Sequence, residues 1–120
     1  MASEEELVAF VASSFRSIWA LELLLLLKQE GRACRTEDLV LSLRASPAVI
    51  DRALEALVAG GLVTCEDGTC IYMPVTSEVR ALVDETEQLY RSKPDRVRRL
   101  IVASVNKGLT AFSDAFRLKD

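Results

Sequence analysis

Apolar positions recur with a helical period in five stretches of the chain, and the residues that bound those stretches are helix starts and stops. The first opens at Ser3, a hydroxyl cap followed by Glu4, Glu5 and Glu6, whose charges suit the positive end of a helix dipole. Its apolar set, Leu7, Val8, Phe10, Val11, Phe15, Ile18 and Trp19, leads into the run Leu23 to Leu27, with a break expected at Ser13-Ser14 and a stop at Gly31. That leucine run is apolar on nearly all sides. Such a helix is covered from several directions, either as the central helix of the fold or with part of it against a second copy.

A short helix follows from Thr36, its expected cap, with Leu39, Val40 and Leu43 inward, ending near Ala45. Ser46 caps the next, Pro47 suits its first turn, where a missing amide costs nothing, and Ile50, Leu54, Leu57 and Val58 form the inner stripe before Gly60-Gly61. "LVTCEDGTCIYM" is rich in strand formers on both sides of Asp67-Gly68, a two-residue turn type that needs positive φ, so it reads as a β-hairpin closed by Pro74. Thr76 opens a helix carrying Val79, Leu82, Val83, Leu89 and Tyr90. "SKPD" interrupts it, and a last helix runs from Pro94 or Asp95 to about Leu118. Its stripe, Val97, Leu100, Ile101, Val105, Leu109, Phe112 and Phe116, is longer than a domain of this size needs to cover its own core.

Three helices and a hairpin with short joints, over Ile18 to Val75, resemble the winged helix-turn-helix of bacterial transcriptional regulators. The second helix opens on Thr36 with Asp38 and Leu39, and the third carries Ser46, Ile50, Leu54, Leu57, Gly61, Leu62 and Val63 at the family's spacing. The resemblance implies a mainly α fold with a small β-hairpin, a winged helix-turn-helix with extra N- and C-terminal helices. Residues 1–120 then form a single domain, with the core at about 18–75 and the C-terminal helices, about 76–118, serving dimerisation. It also implies a homodimeric regulator whose partner is double-stranded DNA. The alternative is a winged-helix module that binds another protein and no DNA, since one fold serves both.

Charge complicates the first reading. The 120 residues carry a net charge of −3, so any affinity for phosphate must come from a local patch. Around the third helix Arg32, Arg35, Arg44 and Arg52 are balanced by Glu37, Asp38, Asp51 and Glu55, and at the hairpin tip Glu66 and Asp67 stand where a DNA-binding wing of this family carries Arg or Lys. The candidate DNA-contacting residues are Arg35, Arg44, Ser46, Ala48, Val49 and Arg52. Arg52 can donate to guanine or phosphate, and Ala48 and Val49 can meet thymine methyl groups. In "RSKPDRVRR", Arg91, Lys93, Arg96, Arg98 and Arg99 outnumber Asp95. This reads first as a solvated helix junction, and otherwise as a contact to flanking phosphates or to Asp84, Glu85 and Glu87 of a second subunit.

The chain has no histidine, no C-x-x-C pair and no nucleotide- or nucleophile-loop motif, so neither catalysis, a cofactor nor a metal is expected. Acid rather than base follows Met1, three cysteines make no paired framework, and the leucine run, Leu23 to Leu27, is far short of the ~20 residues that span a bilayer. A cytoplasmic protein with no membrane partner is expected. Leu7, Phe10, Val11, Leu109, Phe112 and Phe116 fall outside the winged-helix segment and are the candidate dimer contacts. Cys65 and Cys70 face each other across the hairpin as a possible redox pair, although free thiols are expected at rest, with Cys34 apart and uninvolved.

Overall fold

A computed structural model describes residues 2–117, and their side chains as far as Val105. The described residues form six helices and three short strands. Helix α1 (Glu4–Ser14) starts as the sequence dictates, the Ser3 hydroxyl accepting the Glu6 N–H at 3.1 Å. The chain then breaks at Phe15, one residue beyond the expected Ser13-Ser14, because Phe15 turns extended to drive its ring into the core. Ser17 recaps by accepting the Ala20 N–H, and α2 (Ile18–Glu30) leaves at 105° to α1. Gly31, at φ 66°, ends α2 in the left-handed conformation.

Strand β1 (Cys34–Arg35) is followed directly by α3 (Thr36–Leu43), whose cap position is held by Arg35 without a side-chain bond. Thr36 is therefore not the cap, and its N–H donates instead to Gly68 O at 3.1 Å. Helix α4 (Pro47–Ala59) is capped by Ser46, and the hairpin is β2 (Val63–Glu66) and β3 (Thr69–Tyr72), with Asp67 and Gly68 both at positive φ in the turn. The expected two-stranded hairpin is a three-stranded antiparallel sheet in the order β1-β3-β2, since β1 adds to the free edge of β3. A two-residue strand carries no periodic signal. Helices α5 (Ser77–Ser92) and α6 (Pro94–Arg117) follow.

The leucine run is the centre of the fold: Leu21, Leu23, Leu24 and Leu27 are inaccessible to solvent. Helix α2 packs against α3, α4 and β3, and its Leu25 and Leu26 are half-buried at the margin of the same core. On α4 the inner positions are Ile50, Ala53, Leu54 and Leu57. Val58, expected inward, is 43% exposed because the stripe through Ile50 and Leu57 leaves it at the edge of the helix.

Helix α1 packs on α5 and α6, and this corrects the expectation that it lacks cover. Val11 is fully buried in its own chain, Phe10 meets Phe15 edge to face at 6.0 Å, and Leu7 is half-buried. The Ser104 hydroxyl donates to Ala12 O, and Arg96 pairs with Glu4. Leu109, Phe112 and Phe116 lie outside the residues whose side chains are described.

Candidate nucleic-acid interface

Helix α3 and helix α4 are joined by the tight turn Arg44, Ala45, Ser46. Arg44 takes φ 53° there and its N–H returns to Leu41 O. The Ser46 hydroxyl accepts the Val49 N–H at 3.2 Å, so this candidate contact is committed to holding the helix start. With Ile50, Ala53, Leu54 and Leu57 inward, helical spacing turns Ala48, Asp51, Arg52 and Glu55 outward, and all four are exposed. Val49 is half-buried at the side of that face.

Arg35, Arg44 and Arg52 stand on β1, at the end of α3 and on α4. Arg35 and Arg44 sit at opposite ends of α3, separated by about 12 Å of helix. Arg32 pairs with Glu30 at 3.6 Å. A residue the sequence reading passed over, Arg16, comes to Arg52 instead. The 105° bend between α1 and α2 brings it beside α4, where Arg16 and Arg52 line the same two clefts. One, of about 330 Å³, is walled by Trp19, Val49 and Ala56; the other, of about 630 Å³, by Ser13, Glu55 and Gly60. The available signal was that Arg16 is the sole basic residue before Lys28, in a stretch otherwise apolar, neutral or acidic.

Which cations are already neutralised decides what this surface can hold. Among the described residues, Arg16, Arg35, Arg44 and Arg52 form no ion pair. The denser basic cluster is largely engaged: Arg91 meets Glu87, Arg96 meets Glu4, and Arg98 meets Asp95 while donating to the Tyr90 hydroxyl. The Arg96 hydrogen bond holds the Glu4 carboxyl below its ordinary range. The facing acids are also engaged within the chain. Asp84 and Glu87 receive Lys28, and Glu85 accepts the Ala2 N–H.

On the other side of α4 a cleft of about 520 Å³ separates Asp51, Leu54, Glu55 and Val58 from the sheet residues Cys65 and Cys70. Cys65 and Cys70 are joined as a disulfide, with Cα atoms 4.1 Å apart, where free thiols were expected. Cys34 is not apart from them: β1 sets it directly opposite Cys70. Glu66 and Asp67 are exposed at the hairpin tip.

Among the described residues no three His, Cys, Asp or Glu side chains are grouped to hold a metal ion. No single helix among them is long and apolar enough to cross a membrane. Comparison with protein families, with curated proteins and with solved structures found no match to this chain.

Proposed function

We propose that the chain is a DNA-binding transcriptional regulator of the winged helix-turn-helix type, acting as a homodimer, with α4 in the major groove of double-stranded DNA. The observation that carries this reading is the shared position of Arg16 and Arg52 beside the exposed face of α4, each without a carboxylate partner among the described residues. An unpaired guanidinium on a surface is available to phosphate, and its fork matches phosphate and guanine alike. Arg52 is the base-reading candidate, Arg16, Arg35 and Arg44 anchor phosphates, and Ala48 and Val49 meet thymine methyl groups. Asp51 can accept from cytosine only where a nearby arginine offsets its charge against the phosphates. The acidic hairpin tip stays off the DNA in this arrangement.

A second subunit would suit this reading, because operators with two half-sites match a two-fold protein. The exposed valines of α6, Val102 at 56% and Val105 at 40%, share a cleft with Ile18 and continue the helix toward Leu109, Phe112 and Phe116, which makes this face the candidate dimer contact.

The second reading, a module that binds another protein, rests on the cleft between α4 and the hairpin. Its walls are apolar at Leu54 and Val58 and acidic at Asp51 and Glu55, a lining suited to a basic, partly apolar partner segment. A mobility-shift titration against genomic fragments at two salt concentrations separates the two. A shift that weakens steeply with salt supports DNA binding, and no shift at low salt leaves the protein module.

A further inference from the structure

All three cysteines of the chain lie on one rung of the sheet. In strand order, Cys34 of β1 faces Cys70 of β3, and Cys70 faces Cys65 of β2. Directly opposed residues of antiparallel strands point to the same side, so the three side chains share a face. Cys34 and Cys70 are buried in the core, and Cys34 Sγ donates to Arg32 O at 3.4 Å. Cys65 is exposed at the cleft against α4.

Register restricts which pairs can bond. The Thr36 N–H donates to Gly68 O, which makes Cys34 and Cys70 the hydrogen-bonded type of pair two residues along, with Cα atoms about 5.5 Å apart, inside the range a disulfide accepts. Cys34 and Cys65 are two strand spacings apart, about 9.5 Å, which is outside it. Cys70 is therefore the shared partner, with a buried thiol on one side and an exposed sulfur on the other. Strand β1 is two residues long and lies at the sheet edge.

We infer that the three cysteines form an internal thiol–disulfide relay that delivers a free thiol at Cys65, a modification site at the cleft between α4 and the hairpin. Cys34, once deprotonated, attacks Cys70 Sγ; the Cys34–Cys70 bond forms and the Cys65–Cys70 bond breaks. Cys65 leaves as a thiolate and takes up, from water, the proton that Cys34 gave to water. One disulfide and one thiol are present before and after, so no oxidant or reductant is consumed. The buried thiol is exchanged for a solvent-facing one, open to soft electrophiles such as α,β-unsaturated carbonyl compounds, which add to the sulfur across their carbon–carbon double bond.

The test treats the reduced chain with oxidised glutathione, counts the thiols that remain, and labels it in its native state with N-ethylmaleimide. Trypsin frees Cys34 between Arg32 and Arg35, and cleavage after Glu66 separates Cys65 from Cys70. The relay puts the label on Cys65 with a Cys34–Cys70 disulfide. Cys65→Ser should lose both remaining thiols to a Cys34–Cys70 disulfide on the same oxidation. The relay is overturned by label on Cys34 with the Cys65–Cys70 bond intact, by no labelling until the chain is denatured, by three thiols surviving oxidation, or by two surviving in Cys65→Ser.

Discussion

The Val75 N–H donates to Gly61 O at 2.9 Å, and a Cβ built on Gly61 would lie 3.0 Å from Val75 Cγ1. Gly61 holds φ 74° at the point where the chain leaves α4 for the hairpin, so it meets both a backbone and a steric demand. Gly61→Ala should cost about 1–3 kcal/mol, combining left-handed strain with displacement of the Val75 side chain. Gly31→Ala, at φ 66° with nothing within 4 Å, carries the backbone part alone and should cost less. Chemical denaturation of the two variants checks this; equal midpoints would contradict it.

Lys28 ties α2 to α5, its ammonium 2.6 Å from Glu87 Oε1 and 3.3 Å from Asp84 Oδ1. The hydrogen bond from Lys28 to Glu87 is the main force raising the lysine pKa above its ordinary 10.5, working against partial desolvation. A folded-state pKa that is raised gives stability present in full below the unfolded value and lost as pH rises through the folded one. Lys28→Met should therefore lose roughly 1–2 kcal/mol at neutral pH, and the gap from wild type should close above about pH 10.5. A gap that stays constant through the alkaline limb contradicts the pairing.

The dimer contact is tested at Val102 and Val105. Both are exposed, so Val102→Asp and Val105→Asp should each change monomer stability by no more than about 0.5 kcal/mol while shifting sedimentation from dimer to monomer. A wild-type chain that sediments as a monomer at micromolar concentration removes the proposed interface.

Arg52→Ala should weaken binding to a specific duplex by about 1–3 kcal/mol and relax preference at one base, the mark of a guanine contact. Arg44→Ala should weaken all duplexes alike and by less. Calorimetric titration of each variant against two duplexes reads the difference, and wild-type affinity in both would take the α3–α4 turn and α4 out of the interface.

Caps and turns were legible because their chemistry is local. Ser3, Ser46 and Thr76 each cap a helix through their own hydroxyl, Gly31 ends α2, and Asp67-Gly68 turns the hairpin. What was not legible depends on distant chain segments meeting. Ser13-Ser14 announces a break, but Phe15 continues the apolar stripe of α1 in sequence, so nothing local shows that its ring turns into the core or that Ser17 starts the next helix at 105° to the first. The bend made there is what carries Arg16 to Arg52. Likewise Cys34 shows its relation to Cys70 only through β1, a strand that exists because β3 offers it an edge.

The salt dependence of duplex binding tests the central claim, that unpaired arginines around α4 hold DNA phosphates. Each neutralised phosphate contributes a slope of about −0.9 in the plot of log affinity against log salt concentration. Arg16→Ala combined with Arg52→Ala should make the wild-type slope shallower by up to roughly 2 and by at least roughly 1, the lower limit applying if Arg52 reads a base alone. Lys93→Ala combined with Arg99→Ala, at the α5–α6 junction, should leave it unchanged. A double Arg16, Arg52 variant with the wild-type slope, or a wild-type chain that binds no duplex even at low salt, would contradict the account.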